Sequence, residues 1–227
     1  MTSLLTYFHT APSFTPWYSH PHLQTRVLIT AGIDGDEYAG IEAAKHLILT
    51  YQGNIPLTII PIVNLAGYLA KTSFNPLDGK YPKYIYPGSK FGSSSSKLKY
   101  QLSQYERGID LWIDLHGGAS DEHLKPFIWA SEVYPFLSHL SGRILVEKSI
   151  AKKVPYLILE SGQLGETKPS AVKQHLSWIN TILNNIDRPA KPNWHPTYTQ
   201  IKFEKYRHQK NTSNTLWYSK KLFVTAS

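Results

Sequence analysis

The sequence of 227 residues contains no cysteine. Disulfides and thiolate-held metals are therefore excluded, and only His, Asp and Glu remain as ligands for a metal ion. It also lacks any apolar run long enough to cross a bilayer, which excludes a helical membrane span. From Met1 to Gln24 there is no basic segment followed by an apolar block and small residues, so no secretory leader is read there and the expected location is cytoplasmic. Excess charge is scarce outside one region. From Lys191 onward seven Lys/Arg accompany a single acidic residue, giving +6 of the net +8, so residues 1–190 are close to neutral. With 41% hydrophobic and 18% charged residues the composition is that of an ordinary soluble domain. The length suits one large α/β domain at 1–190 followed by a basic, aromatic-rich extension at 191–227.

The apolar run Val27-Leu28-Ile29, ending in Thr30-Ala31-Gly32, predicts a buried strand entering a tight turn. Ile41, Ala44 and Ile48 then mark one face of a helix over about 38–50, ended by Gly53 and Pro56. Leu57 to Val63 reads as a central strand, with Pro61 signalling its end or an irregularity. From Asn64 to Ser96 periodicity fades among Pro76, Gly79, Pro82, Pro87, Gly88 and Gly92, which predicts a long irregular loop of the kind that is functional or mobile. Leu98, Leu102 and Tyr105 fit a helix closing at Gly108. Ile109 to Leu115 is a strand that delivers His116 to its carboxyl end. Phe127-Ile128-Trp129 and Tyr156 to Leu159 are further strands, with a weaker helical signal at Leu137, Leu140 and Ile144 between them. Val172, Leu176, Ile179, Leu183 and Ile186 give the clearest helix. Alternation of strands and helices predicts a three-layer α/β sandwich with a mainly parallel, mixed central sheet covered by helices on both faces.

In such sheets ligands bind beyond the carboxyl ends of the strands. Three strands end in polar clusters there: Asp34-Gly35-Asp36-Glu37, Asp114-Leu115-His116-Gly117-Gly118 and Glu160-Ser161-Gly162. Asp34 and Glu37, three residues apart on a turn entering a helix, can converge, and with His116 they offer two oxygens and a nitrogen. That set can hold a metal with one position left for water. Glu160 is then the candidate general base. Each has a plainer reading: helix capping for Asp34 and Glu37, a hydrogen-bonded structural histidine for His116, and a lysine-paired carboxylate for Glu160. Asp114 reads as a support for the site or as structural. The run Ser93 to Ser96 before Lys97 lacks the glycine spacing of a phosphate loop and reads as a solvated loop.

Taken in order, Gly32-Ile33-Asp34-Gly35-Asp36-Glu37-Tyr38-Ala39-Gly40, the Asp114 to Gly118 segment with Pro126-Phe127, and Leu159-Glu160-Ser161-Gly162 resemble the motifs of the zinc carboxypeptidases, in the succinylglutamate desuccinylase/aspartoacylase branch. The similarity covers roughly residues 25–186. It implies zinc, with manganese as the alternative, held by Asp34, Glu37 and His116. It also implies a hydrolase that cleaves an amide bond next to a carboxylate, in an N-acyl amino acid or a peptide end, by metal-activated water with Glu160 as general base. Two positions depart from the family pattern. Its first ligand is a His where this chain has Asp34, whose oxygen reaches a metal from the same backbone position but adds a negative charge, which lowers the Lewis acidity of the ion. In the loop, Pro76-Leu77-Asp78-Gly79 and Pro87-Gly88 match the frame of the family's substrate-binding segment, yet Lys83 and Tyr84 stand where Asn-Arg holds the substrate carboxylate. Lys83 and Tyr84 are accordingly the substrate-binding candidates, a point charge in place of a fork. A catalytically impaired binding protein on the same scaffold is the competing function. The tail, with Trp194, Tyr198, Phe203, Tyr206, Trp217, Tyr218 and Phe223 among its basic residues, has a composition suited to single-stranded nucleic acid. The preferred reading packs these aromatics as a final hairpin, so nucleic acid is not the expected partner.

Overall fold

The computed structural model describes residues 14–194, 197–201 and 221–225. The helices and strands among these residues are, in chain order, β1 (Trp17–Tyr18), β2 (Val27–Ala31), α1 (Tyr38–Thr50), β3 (Leu57–Ile60), α2 (Leu65–Ala70), α3 (Ser94–Ser103), β4 (Leu111–His116), β5 (Phe127–Ala130), β6 (Arg143–Val146), β7 (Tyr156–Glu160), α4 (Pro169–Asn185), β8 (Thr197–Ile201) and β9 (Lys221–Thr225). They build one mixed sheet of order β1-β3-β2-β4-β7-β5-β6-β9-β8. Its centre, β3-β2-β4-β7, is parallel, and β5 runs against β7.

Side-chain alternation along the buried strands divides the core into two layers. Val27, Ile29 and Ala31 of β2 and Ile113 and Leu115 of β4 face α1 and α4, which contribute Ile41, Ala44, Leu47, Trp178, Ile179 and Ile182. Leu28 and Trp112 face the other way, onto Leu98 and Leu102 of α3. Both faces of the central strands are thus dry, which explains their near-continuous apolar sequences. The arrangement is the three-layer α/β sandwich read from the sequence.

The strand end read at Pro61 is found, and three other local expectations are corrected. The strand starting at Leu57 stops at Ile60, because Pro61 brings no N–H to the ladder. The stretch 64–96 is not wholly irregular: Asn64 accepts a 3.1 Å bond from Gly67 N and caps the six-residue α2, too short to show a period. The serines are not a solvated loop, since Ser94 to Ser96 form the first turn of α3 and Ser95 is fully buried. Ile144 belongs to β6 rather than a helix, and Pro135–His139 is a 3-10 turn. The aromatic tail falls largely outside the described residues: within it Trp194 packs on the main core, and the backbone of 221–225 pairs with both β6 and β8.

Helix α1 lies so close to β4 that a Cβ on Gly40 would sit 2.6 Å from the Leu115 carbonyl oxygen. Backbone, unlike a side-chain tip, cannot turn aside. Gly40→Ala is expected to destabilise the protein by ~1–3 kcal/mol, the usual cost of overpacking, seen as a lower urea midpoint. Glu42→Ala, on the outer side of the same helix, should stay within ~0.5 kcal/mol. Equal midpoints for the two would mean that the close approach is not rigid.

Candidate metal centre

Parallel pairing fixes the relative height of the site residues. His116, the last residue of β4, is the register partner of Glu160, the last residue of β7. Beyond β2, on the other side of β4, the chain turns at Gly32 with φ +65° and delivers Asp34 and Glu37 in front of α1. Gly35 can stand there because it has no side chain: a Cβ would run into the backbone of Gly67 and Tyr68 in α2.

Asp34, Glu37 and His116 converge. Each offers a ligand atom within 4.8 Å of the other two, and all three are buried. His116 Nδ1 stands 2.8 Å from Glu37 Oε2, 3.7 Å from Asp34 Oδ2 and 3.8 Å from Glu160 Oε1. Glu37 is the residue ahead of α1 but makes no side-chain cap bond; its Oε2 instead accepts from Gly117 N at 3.0 Å. The capping alternative is therefore not the arrangement found for Glu37. Two buried oxygens in the group have no hydrogen-bond partner, Asp34 Oδ1 and Glu160 Oε2. Buried acceptors without donors are costly, and a cation would satisfy them. The donor set of two carboxylates and an imidazole fits a divalent ion.

Lys83 enters this group from the 3-10 turn at Pro82–Tyr84, its Nζ 2.6 Å from Asp34 Oδ2. The turn is held from behind. Asp78 accepts from Ser95 N at 2.8 Å and Ser95 Oγ at 2.7 Å, which ties the loop to the first turn of α3. Tyr84 stays on the rim, 79% exposed, its ring tilted against Tyr81 and 5.5 Å from the Lys83 ammonium.

The charges are strongly interdependent. Burial, assisted by the neighbouring Glu37, pushes Asp34 up to about 7, against the opposing pull of His116 and Lys83. Burial alone would also raise Glu37, but His116, Lys83 and the Gly117 N–H hold it below the usual carboxylate range. Burial would lower His116, yet Glu37, Asp114 and Glu160 keep its proton bound well above the ordinary range. Lys83 is raised as well, its burial outweighed by Asp34 and Glu37. Glu160 is pushed up by burial, opposed by His116 and helped by Glu37 and Glu122, to about 8.

Behind His116 lies a polar layer that sequence reasoning largely missed. Asp114, two residues back on the same face of β4, has Oδ2 3.5 Å from His116 Nε2. It accepts from Thr30 Oγ1 at 2.6 Å and from Tyr156 OH at 2.9 Å, while Trp112 Nε1 donates to Thr30 Oγ1 at 2.8 Å. Lys99, buried beside Trp112, adds positive charge, and its own proton affinity falls to about 8, burial dominating. On the far side His175, fully buried on α4, donates from Nε2 to the Ser161 carbonyl at 3.0 Å, next to Glu160. The available signal for Thr30, Trp112 and Tyr156 was their period-two alternation with Asp114 and His116, which sets all of them on the α3 face. Nothing in the sequence pointed to His175.

The chain has recognisable relatives. The profile for the "Succinylglutamate desuccinylase/Aspartoacylase catalytic domain" matches residues 24–140. The N-alpha-acetyl-L-2,4-diaminobutyric acid deacetylase of Halomonas elongata is 30% identical over 106 residues, 44% of this chain and 30% of that protein. A succinylglutamate desuccinylase/aspartoacylase from Rhodobacter sphaeroides superposes with a TM-score of 0.64 at 22% identity, covering 71% of this chain and 55% of that one. The tripeptide-bound cell shape determinant Csd4 of Helicobacter pylori gives 0.59 at 16%, covering 81% and 57%. The chain thus spans less than two thirds of the length of each of these three relatives.

The Asp114 carboxylate is expected to hold the proton on His116. In metal-free protein, Asp114→Asn should lower the His116 pKa, because it removes a charge and weakens an acceptor on Nε2. Ring-proton NMR through a pH titration reads this directly; an unchanged or higher pKa would show that the 3.5 Å contact carries no coupling.

Proposed function

Because the chain belongs to the succinylglutamate desuccinylase/aspartoacylase family, a zinc-carboxypeptidase-like branch, we propose that it is a metal-dependent hydrolase that cleaves the amide bond of an N-acyl amino acid or of a peptide end. The observation that carries the reading is the convergence of Asp34, Glu37 and His116 at one buried point, with Glu160 alongside. The relatives' names point the same way, one being a deacetylase of an N-acetylated diamino acid and another having been captured with a tripeptide.

In this reading Asp34, Glu37 and His116 hold zinc, with manganese as the alternative. Such an ion supplies a Lewis acid for the amide carbonyl and activates water. Glu160 takes the proton from the attacking water and delivers it to the leaving nitrogen. Burial brings its carboxyl into the range where a carboxylate exchanges protons near neutrality. Its unpartnered Oε2 is the atom free to do so. Gly117 N–H and His116 fix Glu37, and Asp114 fixes His116, so the ligands are held before any substrate arrives. Lys83 and Tyr84 are assigned to substrate contact. An ammonium has three donors, and one of them goes to Asp34, which leaves two for a substrate oxygen. Tyr84 lines the rim.

A second reading, a binding protein on the same scaffold, draws support from Lys83, whose ammonium already balances one of the ligand carboxylates.

Elemental analysis of protein purified without chelator is expected to find about one zinc or manganese per chain, lost in Asp34→Ala and in His116→Ala. Glu160→Gln should retain the metal and lose hydrolysis of N-acyl amino acids or short peptides by about 10²–10⁴-fold. Absence of metal after incubation with excess zinc would sink the hydrolase reading. Metal without turnover on any such substrate would favour the binding protein.

A further inference from the structure

The contact between Lys83 and Asp34 joins residues that the fold has no need to bring together. Lys83 sits in a loop turn, 49 residues along the chain from Asp34. Yet its side chain is only 26% exposed, and its Nζ meets a carboxylate with no exposure at all, at 2.6 Å. The loop that carries it is clamped to α3 through Asp78 and Ser95, so the reach of Lys83 into the site is built in from behind. Tyr81 and Tyr84 flank the ammonium, with ring centroids 5.9 and 5.5 Å away, which favours a cation at that spot.

The charge balance of the pocket explains what such a cation does. Asp34 and Glu37 are two carboxylates, 0% and 2% exposed, sharing one imidazole. Burying an unbalanced anion is prohibitive, and removing a partner from a buried pair costs far more than an exposed pair is worth. Lys83 takes one oxygen of Asp34 and leaves Oδ1 buried and unpartnered. Oδ2 is also the oxygen that stands 3.7 Å from His116 Nδ1, so ammonium and imidazole answer the same atom and Oδ1 is the one left without a partner.

We propose that Lys83 is a tethered counter-cation: it cancels the charge of Asp34, so that Asp34 serves the ligand set as an almost neutral oxygen donor, and it sets the metal affinity of the site by repulsion. The inference rests on the assignment of Asp34, Glu37 and His116 as ligands. It makes Lys83 a positioning residue for Asp34 first and a substrate contact second. The expected loss of Lewis acidity from a second carboxylate is then offset within the protein, since the ligand carboxylates carry −2 and Lys83 returns +1.

A double-mutant cycle of Lys83→Met and Asp34→Asn tests this, with two readouts at one fixed pH. Methionine keeps most of the stem of lysine without its charge. In chelator-treated protein, Lys83→Met should lower the melting temperature by on the order of 5 °C when Asp34 is present and by about 1 °C or less in the Asp34→Asn background. In competition with a chromophoric chelator, Lys83→Met should bind zinc about tenfold more tightly than wild type, and the same change in the Asp34→Asn background, whose amide oxygen remains a weak ligand where alanine offers none, should tighten binding by less than about threefold. Equal effects in both backgrounds, or no effect in either, would overturn the pairing while zinc binding by the wild type left the ligand assignment standing. Zinc bound by none of the four proteins would overturn the ligand assignment and the counter-cation role with it, even if the melting temperatures remained coupled.

Discussion

Two carboxylates placed side by side out of water, Asp34 and Glu37, are the constraint around which the carboxyl edge of the sheet is built. Neither could remain there alone, given what it costs to strip a charge of solvent. The surrounding structure answers with an imidazole from β4, an amide N–H from Gly117 and an ammonium from a distant loop. Each answer demands something of the chain. Parallel pairing of β2 with β4 sets the imidazole beside the carboxylates, the glycines at 32 and 35 let the backbone turn under α2, and the clamp of Asp78 on Ser95 holds the loop in place.

Much of this was legible in the sequence because the central strands are buried on both faces and their apolar runs end abruptly in polar clusters. Val27 to Ala31, Leu111 to His116 and Tyr156 to Glu160 stand out for that reason, and α1 from its spacing of Ile41, Ala44 and Ile48. The three ligand candidates could be named from the strand ends, but the choice of ligation over capping or a structural histidine came from the family resemblance. The missing parts were those made by contacts distant along the chain or by elements too short to carry a period. Tyr156 meets Asp114 across 42 residues, and no local pattern signals it. Helix α2 spans six residues, and the serine turn that opens α3 is joined to Asp78, 17 residues away along the chain. Lys83 was visible as the odd residue of its loop, but its direction was not, since a lysine stem in isolation points to water.

Fold alone assigns no chemistry, because unrelated activities share a scaffold. The proposed hydrolysis would therefore depend on particular atoms: the unpartnered oxygens of Asp34 and Glu160 and the supported imidazole of His116. The polar layer of Thr30, Trp112, Asp114 and Tyr156 belongs to the same logic. Every donor in it finds an acceptor, so the imidazole is backed by a layer with few rearrangements open to it.

The reversal of β5 against β7 bears on where the chain can vary. Since Phe127 opens β5 directly opposite Glu160, where β7 ends, the connection at 117–126 enters the sheet at the carboxyl edge of the parallel strands instead of arriving from the opposite end, as it would in a purely parallel array. The connection is tied down at Gly117, Gly118, Ser120 and Glu122, so a change of length that spared the site would fall at 123–126, with the strand register anchored by β5 and β6. The wall beside Glu160 could then vary within that short span without disturbing the packing of the sheet.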